Sequence, residues 1–183
     1  MLKEITTALG AGAIVLAKDT GGAPMRDFEV ANTVMTSDTF CSSYCRGCDK
    51  TSPPFKWSPA LRDDCVASMQ TIANTSARGQ ISQSHAMGPM EDAQQREWGV
   101  ACFLVGAGPL SFYSYADDGR SGGSWTMAGT RWWPEYEAKL GTPLDPPLKK
   151  EAGSEYVYVR RFSSGLSVRV DVDKHNATIV RGK

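Results

Sequence analysis

Short strand-like runs alternate with helical segments over most of the chain. Four such runs carry polar residues at or just after their carboxyl ends, and they span residues 13–17, 28–35, 80–86 and 110–115. Helical spacing of apolar residues fills the intervals at 59–77 and 91–106. Strands that alternate with helices form parallel sheets, and parallel sheets place their ligand sites at the carboxyl ends of the strands. The sequence therefore predicts an α/β fold with a candidate site at that edge.

The last part of the chain has a different pattern. Apolar and polar residues alternate with a period of two over residues 156–159, 166–170 and 177–179, with turn residues between these runs. This pattern predicts a small antiparallel β unit. We therefore expect two parts, residues 1–145 and residues 146–183. His175 lies in the second turn, where we expect it to face solvent.

Charge and hydropathy exclude several classes of partner. Lys+Arg and Asp+Glu both number 20, so the formal net charge is +0, and no basic surface for nucleic acid or an anionic membrane is expected. No apolar run approaches the ~20 residues of a membrane span. No cofactor is expected either. Length bears on the architecture instead. The chain has 183 residues and is therefore short for a complete eight-fold (β/α) barrel, which needs about 250.

Cysteines are concentrated in one short stretch. Cys41, Cys45, Cys48 and Cys65 fall in or just after a predicted loop at 38–58, and we interpret them first as disulfide candidates. Cys-x3-Cys-x2-Cys is also the spacing of radical S-adenosylmethionine iron–sulfur proteins, although Gly47 replaces the usual aromatic residue there. A zinc site is a further alternative. The cysteine clustering favours an extracellular or secretory route, and the sequence does not otherwise define the location.

A series of motifs resembles a known family over roughly residues 60–170. The motifs are the strand and turn at 79–89, the segments 102–104 and 111–115, Trp133-Pro134-Glu135-Tyr136, Leu140-Gly141-Thr142-Pro143, and Tyr158 to Phe162 with Gly165. Together they resemble the C-terminal part of glycosyl hydrolase-like family 15. The resemblance implies the later strands of a (β/α) barrel with glycosidase ancestry.

The resemblance also implies roles for particular residues. Related barrels carry catalytic carboxylates near the ends of the fourth and sixth strands. If the strand ending at Asp19 is the fifth, Asp38 matches the proton donor, although a Glu is expected there. The nucleophile strand would then precede Met1, and glycoside hydrolysis requires two carboxyl groups. The expected function is that of a glycoside hydrolase-like protein with an incomplete barrel. The alternatives are a non-catalytic carbohydrate-binding or structural fragment, and a metal or iron–sulfur protein that uses Cys41, Cys45 and Cys48.

The expected glycoside hydrolase-like function makes several side chains candidates for the site. Asp38 is interpreted as a general acid and His85 as a group that binds a sugar hydroxyl or assists proton transfer; the alternatives are a turn-capping Asp and a half-buried structural His. Tyr113, Tyr115 and Trp125 are candidates because aromatic rings stack on the faces of sugars; the simpler interpretation of these rings is core packing. The predicted substrate-binding residues are Lys18, Asp19, Tyr113, Tyr115 and Trp125. The expected partner is carbohydrate, and unpaired strand edges suggest self-association or pairing with a missing half-barrel.

Overall fold

The computed structural model describes residues 16–18, 33–35, 40–43, 56–89, 92–117 and 139–182. Within these residues lie seven strands and two helices, arranged in two sheets. In chain order the elements are β1 (Leu16–Lys18), β2 (Thr33–Met35), α1 (Pro59–Ala77), β3 (Ile81–Gly88), α2 (Ala93–Gly106), β4 (Ser111–Asp117), β5 (Val157–Arg161), β6 (Ser167–Asp171) and β7 (Asn176–Val180). The predicted α/β class is confirmed.

The first sheet is parallel and follows the order of the chain. Its strands lie in the order β1-β2-β3-β4, and each neighbouring pair is parallel. Lys18 pairs with Met35, and Met35 with Gln83, so β1 and β2 end at the middle of β3. The pairing of β3 with β4 continues to Gly88. The carboxyl ends of all four strands therefore point toward the same edge of the sheet.

Local signals position both helices. Pro59 occupies the first turn of α1, and the Ser58 hydroxyl accepts a hydrogen bond from the Leu61 amide at 3.3 Å, as an N-cap does. The start predicted at residue 59 is confirmed. Helix α2 begins at Ala93, two residues later than predicted, because the Asp92 carboxylate caps it by accepting from the Gln95 amide at 2.9 Å. Neither helix is long and apolar enough to cross a membrane, within the residues described.

Helix α2 forms the centre of the molecule. Every residue from Trp98 to Gly106 is buried, which is expected of a helix covered on all sides. The helix contacts β3 and β4 of the parallel sheet and also all three strands of the antiparallel sheet. Val168 and Val170 of β6, and Val172 just after it, belong to the same apolar core. The structure is therefore layered, with α2 between the two sheets.

The antiparallel sheet has the order β5-β6-β7 and confirms the predicted C-terminal β unit. The segment before it runs along β5, where the Leu144 amide donates to Arg161 O and the Val159 amide donates to Lys149 O. The predicted boundary between residues 145 and 146 lies within this segment and stays a prediction. Asp145 is buried here and accepts hydrogen bonds from Arg161 Nε and Lys149 Nζ, both at 2.8 Å.

The Asp145 network should make stability depend on pH. The hydrogen bonds from Arg161 and Lys149 hold the pKa of Asp145 well below its usual range. A carboxyl whose pKa is lower in the folded state stabilises the fold above its unfolded pKa of about 4 and loses this effect as the pH falls further. We expect Asp145→Asn to lower the Tm at pH 7, and the difference from the wild type to shrink below about pH 4. Thermal unfolding by circular dichroism across this range tests it; a pH-independent difference would contradict the ionic role.

Candidate functional site

The two faces of the parallel sheet differ in what covers them. A Cβ on Gly99 of α2 would overlap the Tyr113 hydroxyl and lie 3.3 Å from the Ala86 Cβ, so Ala86 and Tyr113 face the helix. Side chains alternate along a strand, so the residues between them face the other way. The side chains on the face opposite α2 are Gln83, His85 and Met87 of β3 and Phe112, Ser114 and Ala116 of β4.

His85 and Ser114 form a polar pair on this opposite face. His85 Nδ1 and Ser114 Oγ lie 3.2 Å apart, and the two residues are opposite each other in the strand register. Both are half-buried. The contact fixes the orientation of the imidazole ring, which is what a binding or proton-transferring histidine requires. Ser114 was not a candidate from the sequence, since only the register of β3 against β4 brings it to His85.

A short segment, Phe40–Ser43, lies beside the carboxyl end of β3, and we name it the Cys41 segment. The Phe40 amide donates to His85 O at 2.9 Å, and the Ser42 hydroxyl donates to Met87 O at 2.6 Å. All four of its residues are buried. Beyond the end of β2, this segment therefore occupies the place next to β3 that a longer second strand would take.

The Cys41 segment is fixed to both helices. Cys41 forms a disulfide with Cys65 of α1, and the Trp98 indole of α2 donates to Cys41 O at 2.6 Å. The interpretation of the clustered cysteines as disulfide-forming is thus confirmed for this pair. While the disulfide is present, neither sulfur is a thiolate ligand, which argues against an iron–sulfur cluster on Cys41. Cys45 and Cys48 lie outside the described residues.

Two predicted aromatic ligands lie on the helix-facing side. Tyr115 is 1 % exposed, and its hydroxyl donates to Pro89 O at 3.1 Å. The Tyr113 ring packs against Phe40 and Phe103, with centroids 6.3 and 5.3 Å away. Each tyrosine therefore has a packing role. Their substrate-binding roles stay predictions.

Of the remaining predicted site residues, the structure describes only the backbone of Lys18. The backbone of Lys18 ends β1 at the site edge of the sheet. Asp19, Asp38 and Trp125 lie outside the described residues.

His175 is less exposed to solvent than the sequence predicted. Its ring is half-buried and stacks on Trp57, with centroids 4.1 Å apart, while the edge of Trp98 approaches it at 4.5 Å. Burial lowers the pKa of His175 below its ordinary value. The expectation was wrong because a turn need not be exposed when it folds onto a helix. This cluster joins the β6–β7 turn to α2 and packs against the core through Trp98.

Comparison with known proteins identifies the family. The model of hypothetical glycosyl hydrolase family 15 matches residues 39–166, which is more than half of the chain. The chain belongs to this family. The match includes the Cys41 segment, both helices, β3, β4 and β5, so it contains the whole described arrangement around His85. The resemblance found from the motifs is confirmed. None of the curated proteins matches the chain.

Proposed function

We propose that this member of hypothetical glycosyl hydrolase family 15 acts on carbohydrate on the face of β3 and β4 that carries His85 and Ser114, toward the carboxyl ends of these strands. The observation that carries the proposal is the His85–Ser114 pair, which lies on the face opposite the helices and beside the disulfide-anchored Cys41 segment. Ligands of parallel α/β sheets bind at this edge. A rigid polar pair there suits the recognition of sugar hydroxyl groups.

The topology supports a more specific architecture, the later part of a (β/α) barrel. In such barrels the strands follow one another in chain order, whereas a doubly wound sheet reverses its order at a switch point. The described strands have the order β1-β2-β3-β4 with no reversal. The face that carries Gln83, His85 and Ser114 would then line the barrel interior.

Asp38 is the proposed general acid. The nearest described residues on either side of it both lie against β3, since Met35 pairs with Gln83 and the Phe40 amide donates to His85 O. An acid there would protonate the leaving oxygen, while His85 binds a hydroxyl of the same sugar. Lys18, Asp19, Tyr113, Tyr115 and Trp125 are proposed as further contacts.

A second proposal, carbohydrate binding without hydrolysis, rests on a different observation. Hydrolysis needs a second carboxyl group on the opposite side of the glycosidic bond. The described side chains of β3 and β4 on the His85 face include no carboxylate. Binding alone would require only the polar pair and the aromatic contacts.

One experiment separates the two proposals. The wild type is screened for hydrolysis of chromogenic glycosides and for binding on a glycan array, beside Asp38→Asn and His85→Gln. If the chain is a hydrolase, Asp38→Asn should lower the rate about 100-fold or more and leave binding intact. Asp64→Asn, an exposed carboxylate on α1, is the matched control and should change neither. Binding without turnover would favour the second proposal, and an inert chain in both assays would contradict both.

A further inference from the structure

Three buried sulfurs from three different parts of the chain meet beneath the Cys41 segment. Cys65 Sγ lies 4.0 Å from Cys102 Sγ, and the sulfurs of Cys41, Cys65 and Cys102 all lie within 4.8 Å of one another. Their residues are 4, 1 and 0 % exposed. Cys41 and Cys65 form the disulfide, whereas Cys102 of α2 is a free thiol.

The spacing fits a single metal ion. Zinc binds thiolate sulfur at about 2.3 Å in a tetrahedron, which places neighbouring sulfurs about 3.8 Å apart. The separation of 4.0 Å between Cys65 and Cys102 is close to this value. The Cα atoms of Cys41 and Cys65 are 4.5 Å apart, so both sulfurs would stay near Cys102 after the disulfide opens, and binding would require them to move apart to the same spacing.

We propose that the reduced chain binds one thiophilic d10 cation, of the Zn²⁺ or Cu⁺ class, through Cys41, Cys65 and Cys102. The site forms only after reduction. A thiol reductant gives two electrons and two protons to the Cys41–Cys65 bond and is itself oxidised to a disulfide, leaving a thiol on each cysteine. The cation then displaces protons from the thiols that become its ligands.

The bound cation would replace the disulfide as the anchor of the Cys41 segment. In the oxidised chain the disulfide joins this segment to α1. In the metal-bound chain the three sulfurs would join it to α1 and to α2 together. The carboxyl end of β3 would therefore keep its neighbour in both redox states. This inference does not depend on the proposed carbohydrate function, and its test uses no sugar.

The environment restricts the cation to a soft one. Sulfur ligands select Zn²⁺ and Cu⁺ over hard cations such as Mg²⁺ and Ca²⁺, which prefer oxygen. A bound cation would also supply the positive charge that thiolates need in an apolar core. Zn²⁺ favours four ligands, whereas Cu⁺ accepts three, so the two cations are separate arms of the test.

The test is a metal titration of the full chain after reduction by a phosphine in the absence of oxygen. Cd²⁺ reports sulfur ligation through its ultraviolet charge-transfer absorbance, and Zn²⁺ and Cu⁺ are measured by competition with chromophoric chelators. We expect one ion per chain, and Cys102→Ala should weaken binding about 100-fold. Reduced wild type should also gain Tm when the cation is added, and the variant should not.

Two controls keep the result interpretable. Oxidised Cys102→Ala retains the Cys41–Cys65 disulfide, so its circular dichroism shows whether the variant folds. The double variant Cys45→Ser/Cys48→Ser keeps the three proposed ligands and should bind as the wild type does. Loss of binding in this double variant together with full binding by Cys102→Ala would overturn the proposal. Failure of the reduced wild type to bind any of the three cations would overturn it as well.

Discussion

Replacing Cys41 and Cys65 together with alanine should lower the free energy of unfolding by about 3–4 kcal/mol. The disulfide closes a loop with a sequence separation of 24, and its loss restores the conformational entropy of that loop in the unfolded chain. Alanine is preferred to serine because both positions are buried, where a serine hydroxyl would carry a desolvation cost that a methyl group does not. Urea unfolding under non-reducing conditions measures the change.

Cys102→Ala is the matched control for this prediction. It removes a buried sulfur from the same cluster but leaves the disulfide in place, so its effect should be clearly smaller. Equal losses in the two variants would show that packing rather than the covalent link stabilises the Cys41 segment. No loss in the double variant would contradict the structural role of the disulfide.

Trp98→Ala should cost about 3–5 kcal/mol, which is typical of a large aromatic residue removed from a core. Trp98 is 3 % exposed and lies between the Cys41 segment and the β6–β7 turn. Its indole donates to Cys41 O, and its ring meets Trp57 and His175 edge-on, with centroids 5.4 and 4.5 Å away. The substitution therefore removes contacts to the Cys41 segment and to the β6–β7 turn at the same time.

The conservative variant Trp98→Phe separates the ring from the hydrogen bond. Phenylalanine keeps an aromatic ring but leaves the buried Cys41 carbonyl without the indole donor, and the expected cost is about 1–3 kcal/mol. Urea unfolding of both variants beside the wild type gives the comparison. If Trp98→Ala lowers the free energy of unfolding by less than about 1 kcal/mol, Trp98 does not stabilise the fold through its contacts to the Cys41 segment and the β6–β7 turn.

The sequence predicted the elements whose pattern is local. The helical spacing of apolar residues placed α1 at 59–77, and the alternation near Val157 and Val168 placed the antiparallel unit. Strand β3 was expected to end at Ala86 but continues to Gly88. Its extra length follows from pairing with β4, which periodicity along a single segment does not contain.

The site was less predictable because it depends on contacts between distant segments. His85 could be chosen from its position at a strand end, but its partner Ser114 follows only from the register between β3 and β4. His175 was placed in a turn correctly, yet its burial depends on Trp57 and Trp98, which come from elsewhere in the chain. Among four clustered cysteines, spacing alone could not select the pairing of Cys41 with Cys65.

The most direct test of the proposed carbohydrate site is to map where a sugar binds. The ¹⁵N-labelled chain is titrated with the oligosaccharide that binds best on the array, and amide chemical shifts are followed by nuclear magnetic resonance. The proposal predicts shifts at His85, Met87 and Ser114, which His85→Gln should diminish, with the amides of β5–β7 unchanged. Shifts confined to β5–β7, with β3 and β4 unaffected, would contradict it.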